Sequence, residues 1–246
     1  MKKLPFFCIY AIMLISGCEK TITGGDGVID NCNPDDYDLY DYYTDQYGNA
    51  GIVAAKNTDA ASWVNYIIVL SLDEHVASWG PEGMAVFPVF ENFNASYPDS
   101  FFFGLQMNQI IEEKGSENFP AFDWCHKKNR DVKAIHSSSW VLPSEADLNI
   151  VFSNDTDMLN QALEKAGGRP LCGDDDGQPL YWTATEDIED FFYFSDETIE
   201  KDYDQANRAI PITASNLFPT SMPSWNKSHE YRVRAIKYIY FRCDIE

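Results

Sequence analysis

The stretch from Trp140 to Gly168 constrains the fold more than any other part of the chain. Trp140-Val141-Leu142 reads as a short buried strand, Pro143 stops it, and Ser144 with Asp147 three positions on forms a capping-box-like helix start. Leu148, Val151 and Phe152 then share one helical face. Ser153-Asn154-Asp155 interrupts the helix, and Leu159, Ala162, Leu163 and Ala166 resume a helical stripe that Gly167-Gly168 ends. The expectation is a strand, a capped helix and a second helix.

Strand signals lie on both sides of this block. Trp63 to Leu70 is rich in β-branched and aromatic residues and is bounded by Asp59 and by Asp73-Glu74. Trp79-Gly80-Pro81 opens an irregular aromatic stretch that runs to Phe103 and reads as a loop packed by its own rings. Helices are expected near Leu105 to Glu113 and Ala121 to Asn129. Beyond Pro170 the strand pattern returns at Tyr181 to Thr185, at Phe191 to Phe194 and at Tyr231 to Phe241. In the last, Tyr231, Val233, Ala235 and Lys237 alternate with Arg232, Arg234, Ile236 and Tyr238, as in one long strand. Helices clustered mid-chain with strands at the ends predict an α+β fold with a mostly antiparallel sheet.

The N-terminus speaks to destination. Lys2-Lys3 is a basic start, and the apolar run from Leu4 to Ile15 is shorter than the roughly 20 residues a spanning helix needs. It ends in Ile15-Ser16-Gly17-Cys18, which resembles a bacterial lipobox. The resemblance implies that residues 1–17 are a signal peptide and that Cys18 carries lipid, holding the protein to the cell envelope, at the outer membrane or cell surface. Glu19 is not the Asp associated with inner-membrane retention. Residues 18–35, glycine-rich around Gly24-Gly25-Asp26-Gly27, are expected to form a flexible tether, and residues 36–246 one domain. Export also suits the cysteines: Cys32, Cys125, Cys172 and Cys243 are an even set with no CxxC, and three pairings are open to them. The favoured one joins the two domain ends through Cys32 and Cys243, which leaves Cys125 with Cys172.

With 39 Asp+Glu against 18 Lys+Arg, the net charge of −21 argues against nucleic acid and against direct contact with anionic lipid headgroups. Loss of residues 1–17 removes two lysines and no acid, so membrane contact falls to the lipid alone. Between Asp35 and Tyr47 five aspartates mix with five tyrosines. That mixture reads as a solvated edge, with rings leaning on the core and acids facing water.

Four ordered blocks carry a further resemblance: Phe119 to Cys125, Trp140 to Leu148, Tyr181 to Glu186, and Tyr231 to Ile236. With Gly51-Ile52-Val53 and Ser71 to Glu74 upstream, residues 47 to 241 resemble the DUF1566 family. These are bacterial surface and periplasmic proteins related to the C-terminal domain of the Legionella collagen-like adhesin. The resemblance implies a single C-type-lectin-like domain. Physically, Trp140 and Trp182 act as apolar anchors, Pro143-Ser144 turns a strand into a helix, and the arginines of the last strand are available to Glu186 or other acids. These are structural roles.

Chemistry is sparse. There is no GxSxG, no GxxxxGK[ST] and no GxGxxG, and His229-Glu230 lacks the second histidine of a zincin because position 233 is Val. Cys125-His126 are neighbours that a helix points apart. The Leu142 to Leu148 corner is also similar to that of formylglycine-generating and sulfoxide-synthase enzymes. Yet Cys243 stands without the second cysteine of a copper site, and His75, His126, His136 and His229 do not make an HxxxHxE iron site. No catalytic residue is therefore assigned. The acid-rich stretch from Asp174 to Asp204 contains the calcium candidates Asp174, Asp176 and Glu186, without the spacing of a calcium loop; a solvated acidic face that meets a basic protein is the plainer reading. Trp79, Trp225 and Tyr97 fall in loop-like surroundings where a sugar ring can stack, or where each fills the core. The expected role is a non-catalytic binding or adhesion module for a glycan or surface polymer. A formylglycine-generating-type enzyme or accessory, and a structural envelope lipoprotein, are the alternatives.

Overall fold

The computed structural model describes residues 28–29, 37–57, 65–84, 86, 101–129, 134–136, 138–171, 180–186, 192–195, 198–201, 208–213 and 225–241. The α+β expectation holds: helices occupy the middle of the chain and mostly antiparallel strands surround them.

The first sheet has the order β1-β13-β4-β3-β2, with β6 also paired to β13. Its strands are β1 (Val28–Ile29), β2 (Tyr42–Thr44), β3 (Ala50–Asn57), β4 (Asn65–Ser71), β6 (Trp140–Val141) and β13 (Ile236–Phe241). The centre, β4, is antiparallel to both neighbours and is covered on both faces. Ile67 and Val69 enter one apolar cluster, while Ile68 and Leu70 enter the other. That two-sided burial explains an unbroken apolar run where a half-exposed strand would alternate. Gly51 answers to the same crowding: a Cβ there would stand 2.5 Å from the Leu70 carbonyl oxygen. β1 falls inside the stretch expected to be a tether, yet it adds in parallel to β13.

The second sheet runs β11-β10-β7-β12-β5 and comprises β5 (His75–Ser78), β7 (Leu180–Glu186), β10 (Arg208–Thr213), β11 (Trp225–Asn226) and β12 (Glu230–Val233). A register shift between Ala209 and Pro211 falls where proline has no N–H for the ladder. A separate hairpin pairs β8 (Phe192–Ser195) with β9 (Thr198–Lys201).

The long strand expected from Tyr231 to Phe241 is two strands. β12 belongs to the second sheet and β13 to the first, and the chain crosses between them at Arg234-Ala235. The Ala235 carbonyl accepts the Ser71 N–H at 2.9 Å. The physical cause is Arg234, whose buried guanidinium donates to Glu74 (2.8 Å) and to the Arg169 carbonyl (2.8 Å). An alternating pattern therefore reads through a corner that a tertiary ion pair makes.

One cluster packs under α1 (Phe101–Lys114) and α2 (Pro120–His126), around Trp79, Trp140 and Trp182. The other packs under α3 (Glu145–Ser153) and α4 (Thr156–Lys165), where Leu148, Val151, Phe152, Leu159 and Leu163 are buried as the stripe requires. Ser144 caps α3: its hydroxyl accepts the Asp147 N–H, and the Asp147 carboxylate accepts the Ser144 N–H at 2.8 Å. Asp147 also accepts the Tyr238 hydroxyl at 2.6 Å, which ties the helix start to β13. Replacing Ser144 with alanine is expected to cost about 1–2 kcal/mol in urea unfolding; a change within 0.3 kcal/mol or so would deny the cap its role. Asp155 caps α4, and Gly167 (φ +80°) closes it, with the Gly168 N–H donating to Leu163 and the Gly167 N–H to Glu164.

Candidate binding surface

Edge strand β5 and helix α2 bring together one aromatic pair that reaches solvent with polar groups beside it. The exposed ring of His75 stacks on Trp124 of α2, with centroids 5.8 Å apart and planes 13° from parallel. Lys128, just past the end of α2, holds its ammonium 4.5 Å from the centre of the half-buried Trp124 ring. The same ammonium donates to both oxygens of Asp73, at 2.6 and 2.7 Å. Trp124 thus packs against His75 and carries a cation over its ring, and that cation is paired with the exposed Asp73 carboxylate.

The support beneath is well ordered by hydrogen bonds. The Lys128 carbonyl accepts the Asn49 amide at 3.0 Å. Asn49 and Tyr47 donate backbone N–H groups to Asp45, which also accepts the Trp140 indole N–H at 2.8 Å. Asn129 then binds the Trp140 backbone from both sides, donating to its carbonyl and accepting its N–H at 2.7 Å each. A side-chain amide here takes the place of a strand partner.

Trp79, for which sugar stacking and core filling were both open, is fully buried: its indole N–H donates to the Thr183 carbonyl at 2.8 Å, and Phe119 and Phe122 meet it edge-on. The core-filling alternative is the one the structure adopts. Trp225 lies on β11, and Tyr97 lies outside the described residues.

Glu186, a calcium candidate, has its carboxylate taken up by Lys227 and by the Val86 N–H in a fully buried site. It is closed to a solvent cation, and the pairing of Glu186 with an arginine of the last strand is replaced by this lysine. Asp174 and Asp176 lie outside the described residues, among which no three His, Cys, Asp or Glu side chains are disposed to hold a metal. Lys227 also donates to the Met84 carbonyl at 2.8 Å and sits 4.5 Å from the Trp79 ring centre. Burial lowers its pKa, with the Glu186 charge opposing.

Cys125, expected to bridge to Cys172, is a free, buried thiol. It faces the apolar cluster beside Phe122 and Trp140, and burial raises its pKa. Cys18, Cys32, Cys172 and Cys243 lie outside the described residues. His126 turns away from Cys125 and engages Glu112 and Asn108. His229-Glu230 leads into strand β12 rather than a helix.

The acid that binds the arginines is Glu74. Its buried carboxylate accepts Arg232 and Arg234 and, at 3.0 Å, the Tyr181 hydroxyl. Sequence reasoning had Glu74 only as the polar end of a strand, and it passed over Lys227, Asn108 and Asn129. Each sits in a turn or on a helix with no local pattern, so nothing nearby in the sequence marked it.

No family model matches the chain, and no curated protein does. Among solved structures, a fimbrial protein from Bacteroides ovatus ATCC 8483 superposes with a TM-score of 0.51 at 15% identity. The match covers 81% of this chain and 48% of that one, so this chain spans about half the length of that protein. At that identity the likeness is one of fold. No helix among the described residues is long and apolar enough to cross a membrane.

Proposed function

We propose that the protein is an exported, lipid-anchored module of the cell surface that binds a glycan or surface polymer and performs no catalysis. The observation that supports the reading is the His75–Trp124 stack at a sheet edge, with Lys128 over the Trp124 ring and paired with the exposed Asp73. Sugars present an apolar ring face with hydroxyls around it, and the exposed His75 ring, backed by Trp124, offers a flat π face with the exposed Asp73 carboxylate two positions away. The lipobox-like Ile15 to Cys18 supports the anchor, and a fold neighbour that is a fimbrial protein fits a surface role. The four sequence blocks support a C-type-lectin-like domain similar to the DUF1566 family.

A glycan array, run with and without calcium, tests the binding. Retention of a defined glycan set is expected, and Trp124→Ala is expected to weaken it about tenfold, the equivalent of ~1.4 kcal/mol. Blank arrays under both conditions, or retention indifferent to Trp124 and His75, would remove the reading. The anchor has a separate readout. Intact mass of membrane-extracted protein should begin at Cys18 with a diacylglyceryl addition, and a Cys18→Ala chain should stay unprocessed.

A further inference from the structure

Beneath the proposed binding surface, a chain of hydrogen bonds, buried except at its Glu112 end, joins α1, α2 and the Trp140–Leu142 segment, and its proton count does not close for a neutral histidine. Asn108 fixes the count. Its Nδ2 donates to the carbonyl oxygens of Gly104 and Leu142, each at 2.8 Å, and its Oδ1 accepts the Leu142 N–H at 3.0 Å. Turning the amide over would set its oxygen against two carbonyls and its NH2 against an N–H. The orientation is therefore decided by the network, and Oδ1 faces His126.

His126 Nε2 lies 3.0 Å from that oxygen, and His126 Nδ1 lies 2.9 Å from Glu112 Oε2. Both ring nitrogens thus face acceptors. A neutral ring protonated on Nε2 serves Asn108 but turns a lone pair on the Glu112 carboxylate. The other tautomer serves Glu112 and leaves Nε2 facing Asn108 Oδ1 without a proton. Only a second proton, held between Nδ1 and Glu112 Oε2, satisfies both contacts.

We propose that this shared proton is a latch: bound, it completes the chain from Glu112 through His126 and Asn108 to the Leu142 backbone; lost, it opens one link and loosens α2 from α1 and the Leu142 segment. The inference is independent of what the surface binds. The surroundings bear on where the latch works. From α1 come Glu112, with Glu113 and Lys114 exposed beyond it; β5 brings His75, and the 3-10 turn at Ser116–Asn118 brings Glu117. β6 brings no titratable group. α2 itself brings Asp123, paired with Lys127, and the thiol of Cys125, which burial keeps protonated. Burial of the ring lowers the His126 pKa; the Glu112 hydrogen bond and charge, and then the Asp123 charge, oppose the shift. The latch therefore closes on the acid side of an ordinary imidazole and opens as pH rises through the His126 pKa.

Histidine-selective nitrogen NMR between about pH 4.5 and 8.5 reads the proton directly. His126 is expected to carry protons on both nitrogens at the acid end and to lose one below about pH 6.5. Over the same transition, protection of the Leu142 amide proton, corrected for intrinsic exchange, should fall by about tenfold. Glu112→Gln supplies the control. Its side chain is 37% exposed, so the change is mild, and its amide NH2 can donate to Nδ1 of a neutral ring. That variant should keep Leu142 protected and lose the pH dependence. A His126 that holds one tautomer across the range, Leu142 protection that ignores the titration, or a Glu112→Gln protein with the full pH dependence would each overturn the latch.

Discussion

Replacing Lys227 with methionine is expected to lower stability by about 3–5 kcal/mol, the cost of taking the lysine counter-charge from a buried carboxylate. Both side chains of the Lys227–Glu186 pair are fully buried. The ammonium also donates to the Met84 carbonyl and rests against the Trp79 ring, so the substitution removes an ion pair, a hydrogen bond and a cation–π contact together. The Glu186 carboxylate would keep only the Val86 N–H among the partners described above. A second substitution separates these effects. Lys227→Met with Glu186→Leu should recover most of the loss, because an apolar pair of similar volume avoids the desolvation of both charges. Urea unfolding of the single and double variants decides it. A single variant within about 1 kcal/mol of the parent would mean that water reaches the pair.

Glu74→Ala is expected to cost a similar amount, about 3–5 kcal/mol, through a different mechanism. Glu74 is the counter-charge for Arg232 and for the buried Arg234 at the point where the chain leaves the second sheet for the first. Without it, Arg234 keeps the Arg169 and Ser71 carbonyls but no anion among these contacts. The loss should be local as well as global. Hydrogen exchange at Ser71, whose N–H is bonded to Ala235 across the crossover, should speed up before the centre of β4 does. Equal acceleration at Ser71 and at Val69 in mid-strand would mean that the crossover has no stability of its own.

Legibility followed the range of the interactions. The α3 start was readable because Ser144 and Asp147 bond each other within one helical turn, and the end of α4 because Gly167 must take a positive φ there. The buried faces of α3 and α4 were readable because helical spacing is local. The Tyr231 to Phe241 stretch misled because alternation reports which way side chains point, and both strands alternate. The sheet to which each belongs depends on Glu74, more than 150 positions away. Trp79 stayed open between two roles for a related reason, since a loop-like segment becomes core only once Phe119, Phe122 and Thr183 close over it. The candidate surface was only half legible. Trp124 and His75 stood in the sequence as a block residue and a lone histidine, and the stack exists only because α2 lies across β5.

The amino-acid sequence by itself determined the class of the fold, the middle position of the helices and the caps that bound two of them, because propensity, periodicity and capping act within a few residues. Only the tertiary structure decided where the last strand breaks, which acid meets which base, and which aromatic rings reach water. Those outcomes depend on burial, and burial belongs to the whole packed chain.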